Sequence, residues 1–339
     1  IGFISMLGWG NAVTILPEMM YRQFGDEEAL PRQYESMKLF VEAEIRKMGK
    51  KNLWIGPSLG DWLAMGKGIA WQAMHNNPVS NAFIVHDLKV ITETAELLGK
   101  REDAARYRRQ LAATTDAYIK KFVSKKGIVA KDYQSAYIMA LKFVLPEGEL
   151  RERVKKNFVA NIRKNGLQTG FFATEHLLPL LVEAGEQKLA YDVLLQENCP
   201  GWMYQVKCGA TTTWERWDAL KPDGTVNEEK MAGSGENMVS FNHYAFGSVG
   251  EFYYQYILGI RPEKPGFAKL HFAPYPDERL GGVSGSYLSV AGKIESAWRY
   301  EPDGCHIRLA TPVEAVVLLP DGRSENVPAG TYEWTVKRP

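Results

Sequence analysis

The chain has 339 residues, of which 45% are hydrophobic, and at roughly 150 residues per domain this supports one large core and a smaller second one. Lysine and arginine number 41 against 40 aspartate and glutamate residues, which argues against nucleic acid or an anionic membrane as a partner. No apolar run is long enough to predict a membrane span, and three cysteines without a C-x-x-C pair argue against a metal site or a disulfide framework, so we expect buried thiols and no cofactor.

Helical patterns begin near the start of the chain. Residues 11–25 read as a helix with Asn11 as its cap and Gly25 as its stop, and residues 31–48 form its partner. The residues before Asn11 show no basic leader and no small-residue cleavage site. We therefore expect Ile1 to be a truncation point.

Residues 50–79 form a long stretch that is rich in glycine and tryptophan and has no helical period. Loops of this length in compact domains are usually functional, so Asp61, Trp62 and Trp71 are candidate site residues. Ordinary core packing is the alternative for both tryptophans.

Three helical hairpins follow, each with apolar residues at steps of three and four and with a short turn containing Gly or Pro. They are 80–98 with 104–122, 133–145 with 150–164, and 175–184 with 187–195. The third hairpin would place Glu175 and His176 at a helix start. A helix-capping role is the favoured interpretation of Glu175.

Two further segments complete the helical part. The polar, glycine-containing insertion at 221–237 is a candidate mobile lid. An aromatic-rich helix is predicted over 238–258, and it would place His243 at its start.

Beyond Gly259 the pattern changes to short alternating runs separated by Pro-Asp-Gly and Ala-Gly turns. This pattern predicts a C-terminal β-sandwich of roughly seventy residues, a size within the usual range for a domain. We expect it to support the helical part structurally. Carbohydrate binding through Trp298 or Tyr287 is an alternative without a specific signature.

The most informative run is WMYQVKCGATTTWERWD at 202–218, in which Glu215 stands between Trp214 and Trp217. Sugar sites combine aromatic platforms with carboxylates and fixed donors, and this run supplies all three. Glu215 is therefore a candidate general base or acid, with a pKa raised by apolar walls and lowered by Arg216. The alternative is an ion-pair cluster of Arg216, Glu215 and Asp218 that pins a loop among core tryptophans.

These residues resemble the bacterial α-L-rhamnosidases of glycoside hydrolase family 78. Segments that fall in the family's order are LGWGNAVTILPEMMYRQFGD (7–26), QYESMKLFV (33–41), GDWLA (60–64), TGFFATEHLLPLL (169–181), GATTTWERWD (209–218) and SFNHYAFGSVGEF (240–252). Each piece alone is weak, but together they make the match specific and cover nearly the whole chain.

The resemblance implies an inverting hydrolase whose helical domain is an (α/α)6 barrel. The glutamate of the family's WERWD signature activates water, which maps to Glu215, and the histidine of FNHYAFG contacts the sugar, which maps to His243. The GDWL signature contributes an aromatic wall, which maps to Trp62. Asp61 beside it is a candidate for holding sugar hydroxyls, and Trp9, Trp214 and Trp217 are further candidate sugar contacts.

Two departures from the family pattern stand out. Asn11 occupies the place where the family usually has Asp in its GWGDA motif, which puts a charge-dependent role there in doubt. The family's general acid lies in a signature of the type DCPxRxExxGWxGD, upstream of GWGDA, and this sequence contains none. About nine predicted helices precede Gly259, about three fewer than six hairpins need. We therefore expect a missing upstream segment to contain the N-terminal helices and the general acid. We also expect residues 1–339 alone to be inactive.

The sequence thus predicts an incomplete (α/α)6 barrel over 1–260 and a β-sandwich over 261–339, and a rhamnose-containing oligosaccharide or glycoside as the partner. Two alternatives remain open. One is another helical-barrel glycosidase or lyase, because this fold hosts several sugar chemistries. The other is a carbohydrate-binding module without a catalytic pair.

Overall fold

The computed structural model describes residues 6–230 and 238–338, so residues 231–237 of the predicted lid lie outside the described residues. Helices dominate as far as residue 257, and strands follow. Within these residues the α-helices are α1 (Ala12–Phe24), α2 (Ala29–Met48), α3 (Ile69–His75), α4 (Asn77–Leu97), α5 (Arg101–Phe122), α6 (Gln134–Met139), α7 (Glu149–Asn165), α8 (Phe171–Glu183), α9 (Gln187–Leu194), α10 (Trp202–Lys207) and α11 (Val249–Phe252). The strands are β1 (Ile260–Lys264), β2 (Lys269–Phe272), β3 (Gly282–Ser289), β4 (Gly292–Glu301), β5 (Gly304–Thr311), β6 (Ala315–Leu318), β7 (Ser324–Val327) and β8 (Gly330–Val336). The predicted fold class, mainly α followed by all-β, is confirmed.

The three predicted hairpins are present as α4 with α5, α6 with α7, and α8 with α9. Their apolar stripes are buried: Leu88 and Ile91 of α4 and Tyr107 and Tyr118 of α5 have no or almost no exposed surface. Helix α6 continues into a π-helical turn, Ala140–Val144. Apolar residues at steps of three and four predict these helices correctly because one face of each helix is buried.

Two short helices, α3 and α10, lie where no helix is predicted. α3 falls inside the long stretch at 50–79, and α10 begins the run that contains Glu215. Each has fewer than eight residues, which is too short to show a helical period. The predicted loop is therefore confined to 52–68.

Two predicted helix starts are wrong. Helix α8 begins at Phe171, so Glu175 lies in its second turn and does not cap it. The predicted helix over 238–258 is not helical before Ala245, where a 3₁₀ turn begins, and His243 precedes that turn. In both cases the hydrogen bonds that set the start of the helix come from a segment distant in sequence.

The strands form two four-stranded sheets with the orders β1-β2-β6-β7 and β3-β4-β5-β8. All pairs are antiparallel except β2 with β6. Phe272 of the first sheet and Trp334 of the second stack with ring centroids 6.1 Å apart. Apolar side chains from both sheets therefore share one core, as a sandwich requires.

The chain folds into two compact units. One comprises Ile1–Ile15 with Gln33–Ser248, and the other comprises Leu16–Arg32 with Val249–Pro339. No helix of the described residues is long and apolar enough to cross a membrane. Of the cysteines, Cys305 is buried, Cys199 is half-buried and Cys208 is exposed, so the prediction of buried thiols is wrong for Cys208.

Candidate active site

Two segments that are far apart in the sequence lie side by side at the candidate site. The Glu215 N–H donates to the Ser240 carbonyl over 2.9 Å, and the His243 N–H donates to the Thr213 carbonyl over 2.8 Å. The Thr213 hydroxyl adds a bond to the His243 carbonyl. This pairing keeps 240–243 from joining the helix that follows, and it brings the segments of Glu215 and His243 together.

The Glu215 side chain is half-buried. Within residues 6–230 and 238–338 its carboxylate forms no hydrogen bond and no ion pair. The hydrogen bond to Ser240 holds the Glu215 backbone in place, while the carboxylate has no partner among the described residues. Such a carboxylate is available to accept a proton from a water molecule.

Arg216 is buried, and its ion-pair partners are acids other than Glu215. Its Nε lies 3.1 Å from an Asp218 oxygen, and its Nη2 lies 2.7 Å from a Glu229 oxygen. The second Asp218 oxygen accepts from Asn227 over 2.9 Å. Burial lowers the pKa of the Arg216 guanidinium, but attraction to Asp218 and Glu229 outweighs burial and holds that pKa above its usual range. The ion-pair cluster considered from the sequence exists, but it contains Glu229 and leaves Glu215 outside.

Both tryptophans beside Glu215 are packed into the interior. Trp214 is 3% exposed and meets Tyr204 and Phe241 edge to face. Trp217 is fully buried, stacks on Phe246 at 3.9 Å and donates from its indole nitrogen to the Thr169 carbonyl. The structure places both indoles as packing residues on either side of Glu215, and their contact with a sugar stays a prediction.

His243 is half-buried between two aromatic rings. Its ring centroid lies 4.9 Å from that of Phe171 and 5.0 Å from that of Tyr244. Its Nδ1 accepts the Ala245 N–H over 3.3 Å. The neutral ring therefore carries its proton on Nε2, where it can donate to a ligand hydroxyl.

Trp9 also contacts Phe171. It is half-buried, its ring centroid is 5.9 Å from that of Phe171 and 5.0 Å from that of Phe172, and its indole nitrogen donates to the Gly60 carbonyl over 3.3 Å. Phe171 thus contacts the rings of both Trp9 and His243. Sequence reasoning did not single out Phe171, whose main signal is its place directly after Gly170 in a matched segment.

Trp62 and Asp61 meet the same helix end. Trp62 is 8% exposed, and its carbonyl accepts the Phe171 N–H over 3.1 Å. Asp61 is fully buried, and its two oxygens accept three N–H groups at the start of α8. Burial raises the pKa of Asp61, while these backbone donors act in the opposite direction. Both Asp61 oxygens are therefore engaged by the protein itself.

Asn11 is fully buried in a polar cluster. Its amide nitrogen donates to Asp87 and, over 3.4 Å, to Glu44, and its amide oxygen accepts the Gly8 N–H over 2.6 Å. Thr14 donates to Asp87 as well. Burial raises the pKa of Asp87 to about 7, and burial together with Asp87 raises that of Glu44 well above its usual range. An aspartate at position 11 would add a third acid, so the amide suits its surroundings.

Taken together, Trp9, Phe171 and His243 form a connected aromatic set. The Trp62 carbonyl accepts from Phe171, and the segment of Glu215 is paired with that of His243 through Thr213. Ring faces, an imidazole N–H and a carboxylate without a partner among the described residues suit a ligand that has apolar faces and hydroxyls. Two concave surfaces, of about 390 and 750 Å³, lie elsewhere, on the β3–β4–β5–β8 sheet and along α7. The first contains the ion pair of Arg308 with Glu333 and the second that of Arg163 with Glu186, and neither includes the residues of the candidate site. No group of three or more His, Cys, Asp or Glu in the described part of the chain is placed to hold a metal ion.

Two family descriptions match the chain: the bacterial alpha-L-rhamnosidase 6 hairpin glycosidase domain over residues 3–257, and the bacterial alpha-L-rhamnosidase C-terminal domain over residues 259–332. An alpha-L-rhamnosidase of Alteromonas sp. (strain LOR) is 34% identical over 314 residues, which cover 90% of this chain and 33% of that protein. One of Formosa agariphila is 32% identical over 341 residues, which cover 97% and 35%. The structure of Streptomyces avermitilis alpha-L-rhamnosidase complexed with L-rhamnose has a TM-score of 0.89 and 29% identity, and the match covers 98% of this chain and 33% of that one. The chain spans about a third of the length of the curated relatives it matches.

Proposed function

Because the chain belongs to the bacterial α-L-rhamnosidase family, as a six-hairpin glycosidase domain followed by the family's C-terminal domain, we propose that it acts within an inverting hydrolase that releases terminal α-L-rhamnose from glycosides. Glu215 is the general base that activates water. The helical domain, residues 1–260, carries this site, and the β domain, residues 261–339, supports it.

The observation that carries this proposal is the state of the Glu215 carboxylate. It has no partner among the described residues, and its backbone is held against the segment of His243. The nearest cation in sequence, Arg216, is occupied by Asp218 and Glu229. A structural glutamate would be expected to use its charge in such a pair, whereas a base must keep its lone pairs for the reacting water.

The remaining groups bind the sugar in this proposal. His243 donates from Nε2 to a rhamnose hydroxyl, and Trp9 and Trp62 offer apolar surface to the ring face. The structure of a relative complexed with L-rhamnose supports rhamnose as the sugar.

Inverting cleavage also needs a carboxylic acid that protonates the leaving oxygen, about 6.5–9.5 Å from the base so that a water fits between sugar and base. Asp61 and Asp218 are engaged in hydrogen bonds on both oxygens. Neither of them is therefore the acid in this proposal.

The test is Glu215→Gln in the full-length protein, assayed with an aryl α-L-rhamnoside. The amide keeps the shape and loses the base, so we expect kcat to fall about 10²–10⁴-fold while rhamnose affinity stays near that of the wild type. Glu228→Gln is the matched control, since Glu228 is exposed in the same region, and it should retain wild-type kcat. Turnover within about tenfold of wild type in Glu215→Gln would remove Glu215 from the base role.

Stereochemistry gives an independent test. Proton NMR of the first product should show the β anomer, because water attacks from the face opposite the leaving group. If the α anomer forms first, the enzyme retains configuration and Glu215 is not the base of an inverting reaction. If rhamnose binds and no rhamnoside is turned over, the chain is part of a carbohydrate-binding protein.

A further inference from the structure

Helix α8 begins without a capping side chain of its own. Its N-terminal residue is preceded by Gly170, which has no side chain to offer the free N–H groups of the first turn. Asp61 supplies the cap from the loop at 52–68. One of its oxygens accepts from Gly170 over 2.8 Å, and the other accepts from Phe172 over 2.7 Å and from Ala173 over 3.1 Å.

The loop and the helix approach each other more closely than side chains would allow. A Cβ at Gly170 would lie 2.3 Å from the Trp62 carbonyl oxygen and 2.7 Å from that of Asp61. The Phe171 N–H donates to the same Trp62 carbonyl. Because these contacts are between backbones, the positions of Trp62 and Phe171 are set together.

The same loop reaches Trp9. Gly60 accepts the indole N–H of Trp9, and a Cβ at Gly60 would lie 2.2 Å from the Asn76 side chain. The loop thus has little freedom to shift along either of its neighbours. Trp9 and Trp62, which we assign to the sugar, are both attached to it.

The ring of Phe171 connects the start of α8 with His243. Its ring contacts those of His243 at 4.9 Å and Phe246 at 5.6 Å. Trp9, Trp62 and His243 are therefore all linked to the end of α8 that Asp61 caps. The Glu215 backbone is held by a different partner, the Ser240 carbonyl.

A buried carboxylate is costly unless it is well paired, and Asp is among the side chains preferred as helix caps. The start of α8 offsets part of the cost of burying Asp61, because both of its oxygens accept N–H groups at the positive end of the helix. A short hydroxyl side chain could satisfy one N–H group, whereas this carboxylate holds three and spans loop and helix at once.

We propose that Asp61 is a positioning residue of the rhamnose site, which sets Trp62 and Phe171 and, through Phe171, the ring of His243. This inference rests on the proposed function. It predicts that Asp61 governs sugar binding more than the chemical step, because Trp62 and His243 are assigned to the sugar, whereas the Glu215 N–H is bonded to Ser240 and not to the loop or to α8.

The test uses a graded series in the full-length protein. Asp61→Asn keeps one oxygen, which can still accept from Phe172 and Ala173, and Asp61→Ala keeps none. We expect the Kd for rhamnose, measured by calorimetry, to rise roughly tenfold in Asp61→Ala, equal to about 1.4 kcal/mol, and less in Asp61→Asn. KM for an aryl rhamnoside should rise in the same order, while kcat changes less than KM.

Asp103→Asn is the control. Asp103 accepts from Tyr34 and Lys38 between α2 and α5, so its loss should lower stability without changing rhamnose Kd. If Asp61→Asn and Asp61→Ala bind rhamnose like the wild type, or if Asp103→Asn weakens binding as much, the inference is overturned. It is also overturned if neither Asp61 variant folds, because the residue would then be required for the fold as a whole.

A ligand-free measurement separates this inference from the proposed function. In protein with labelled histidine, the His243 imidazole resonances, assigned through His243→Ala, should move in Asp61→Ala and stay in place in Asp103→Asn. Unmoved resonances would overturn the link from Asp61 to His243. A wild-type protein that neither binds rhamnose nor cleaves rhamnosides would overturn the proposed function, and with it the role of Asp61 in a rhamnose site, even if the resonances move.

Discussion

Arg216 forms its ion pairs with two other acids and not with its neighbour Glu215. The guanidinium is buried and needs counter-charges, which Asp218 and Glu229 supply. From the sequence alone Glu215 is an equally good partner, because it is adjacent to Arg216. Glu229 lies in the polar insertion, and only the folded chain shows that its carboxylate reaches Arg216.

The first prediction at the residue scale concerns this cluster. Asp218→Asn removes one of the two charges that face a buried guanidinium, and we expect the free energy of unfolding to fall by about 1–3 kcal/mol. This range is below that of a fully buried pair because Asp218 is partly exposed to solvent. Urea unfolding measures it. Asp116→Asn, at an exposed position, should leave the midpoint unchanged; an unchanged midpoint in Asp218→Asn would show that Glu229 alone satisfies Arg216.

The second concerns His243, whose Nδ1 is committed to the Ala245 N–H and whose Nε2 proton is left for a ligand. His243→Ala should weaken rhamnose binding roughly tenfold, which corresponds to one lost hydrogen bond of about 1.4 kcal/mol. Calorimetry with free rhamnose measures this loss. The same substitution at His306, an exposed residue of β5, is the control, and equal affinities in wild type and His243→Ala would remove His243 from the sugar site.

At the scale of elements, helix α8 shows how a boundary is set from a distance. Its predicted start at Glu175 follows the local pattern, in which an acid near a helix N-terminus is favourable. The observed start at Phe171 depends on Asp61, which a local pattern cannot reveal. The segment at 240–243 is another case, since its backbone pairs with that of Thr213 and Glu215 instead of extending a helix.

A prediction at this scale tests the close approach of α8 and the loop. Gly170 has an ordinary negative φ, so Gly170→Ala strains no backbone angle, but its Cβ would clash with the Trp62 carbonyl. We expect a loss of about 1–3 kcal/mol in the free energy of unfolding, the usual range for overpacking. Gly250→Ala is the control because a Cβ there meets nothing within 4 Å. Equal urea midpoints for Gly170→Ala and wild type would mean that the helix and the loop can separate at no cost.

At the scale of the whole molecule, buried acids make stability depend on pH. The pKa values of Glu44 and Asp87 are raised in the folded chain above the values near 4 expected for the unfolded chain. The folded state therefore binds more protons than the unfolded state between these values. The contribution of Asp87 to stability is fully present below about pH 4 and is lost as pH rises from there through about 7, and the contribution of Glu44 is likewise lost as pH rises from about 4.

We therefore expect the contribution of Asp87 to the free energy of unfolding to fall between about pH 4 and 7, by up to about 1.4 kcal/mol per pH unit for each proton released. His176, whose pKa burial lowers, acts in the opposite direction below about pH 6.5, so the contribution of the acid is taken from the difference between wild type and Asp87→Asn. Urea unfolding at several pH values measures the slope. Asp87→Asn should flatten it, whereas Asp103→Asn should keep it, since Lys38 lowers the pKa of Asp103 out of this range. Equal slopes in wild type and Asp87→Asn would show that Asp87 is not protonated in the folded state over this range.

The family, the change from helices to strands and the long amphipathic helices can be predicted from the sequence. These follow from local information: matched segments in order, and a period of three and four wherever one helix face is buried. Short elements such as α3 and α10 carry too few residues for a period, so they were missed. The stretch around Glu215 was recognised because its composition is unusual, not because its geometry could be read.

The contacts of each candidate residue, in contrast, depend on how distant segments come together in the fold. Asp61 caps a helix that begins more than a hundred residues later, Trp217 is enclosed by Phe246 and Trp202, and Glu215 is left without a partner among the described residues. Each outcome depends on hydrogen bonds and packing between segments that are distant in sequence. A buried polar group must find its partner wherever the fold places one, and that placement has no local signal.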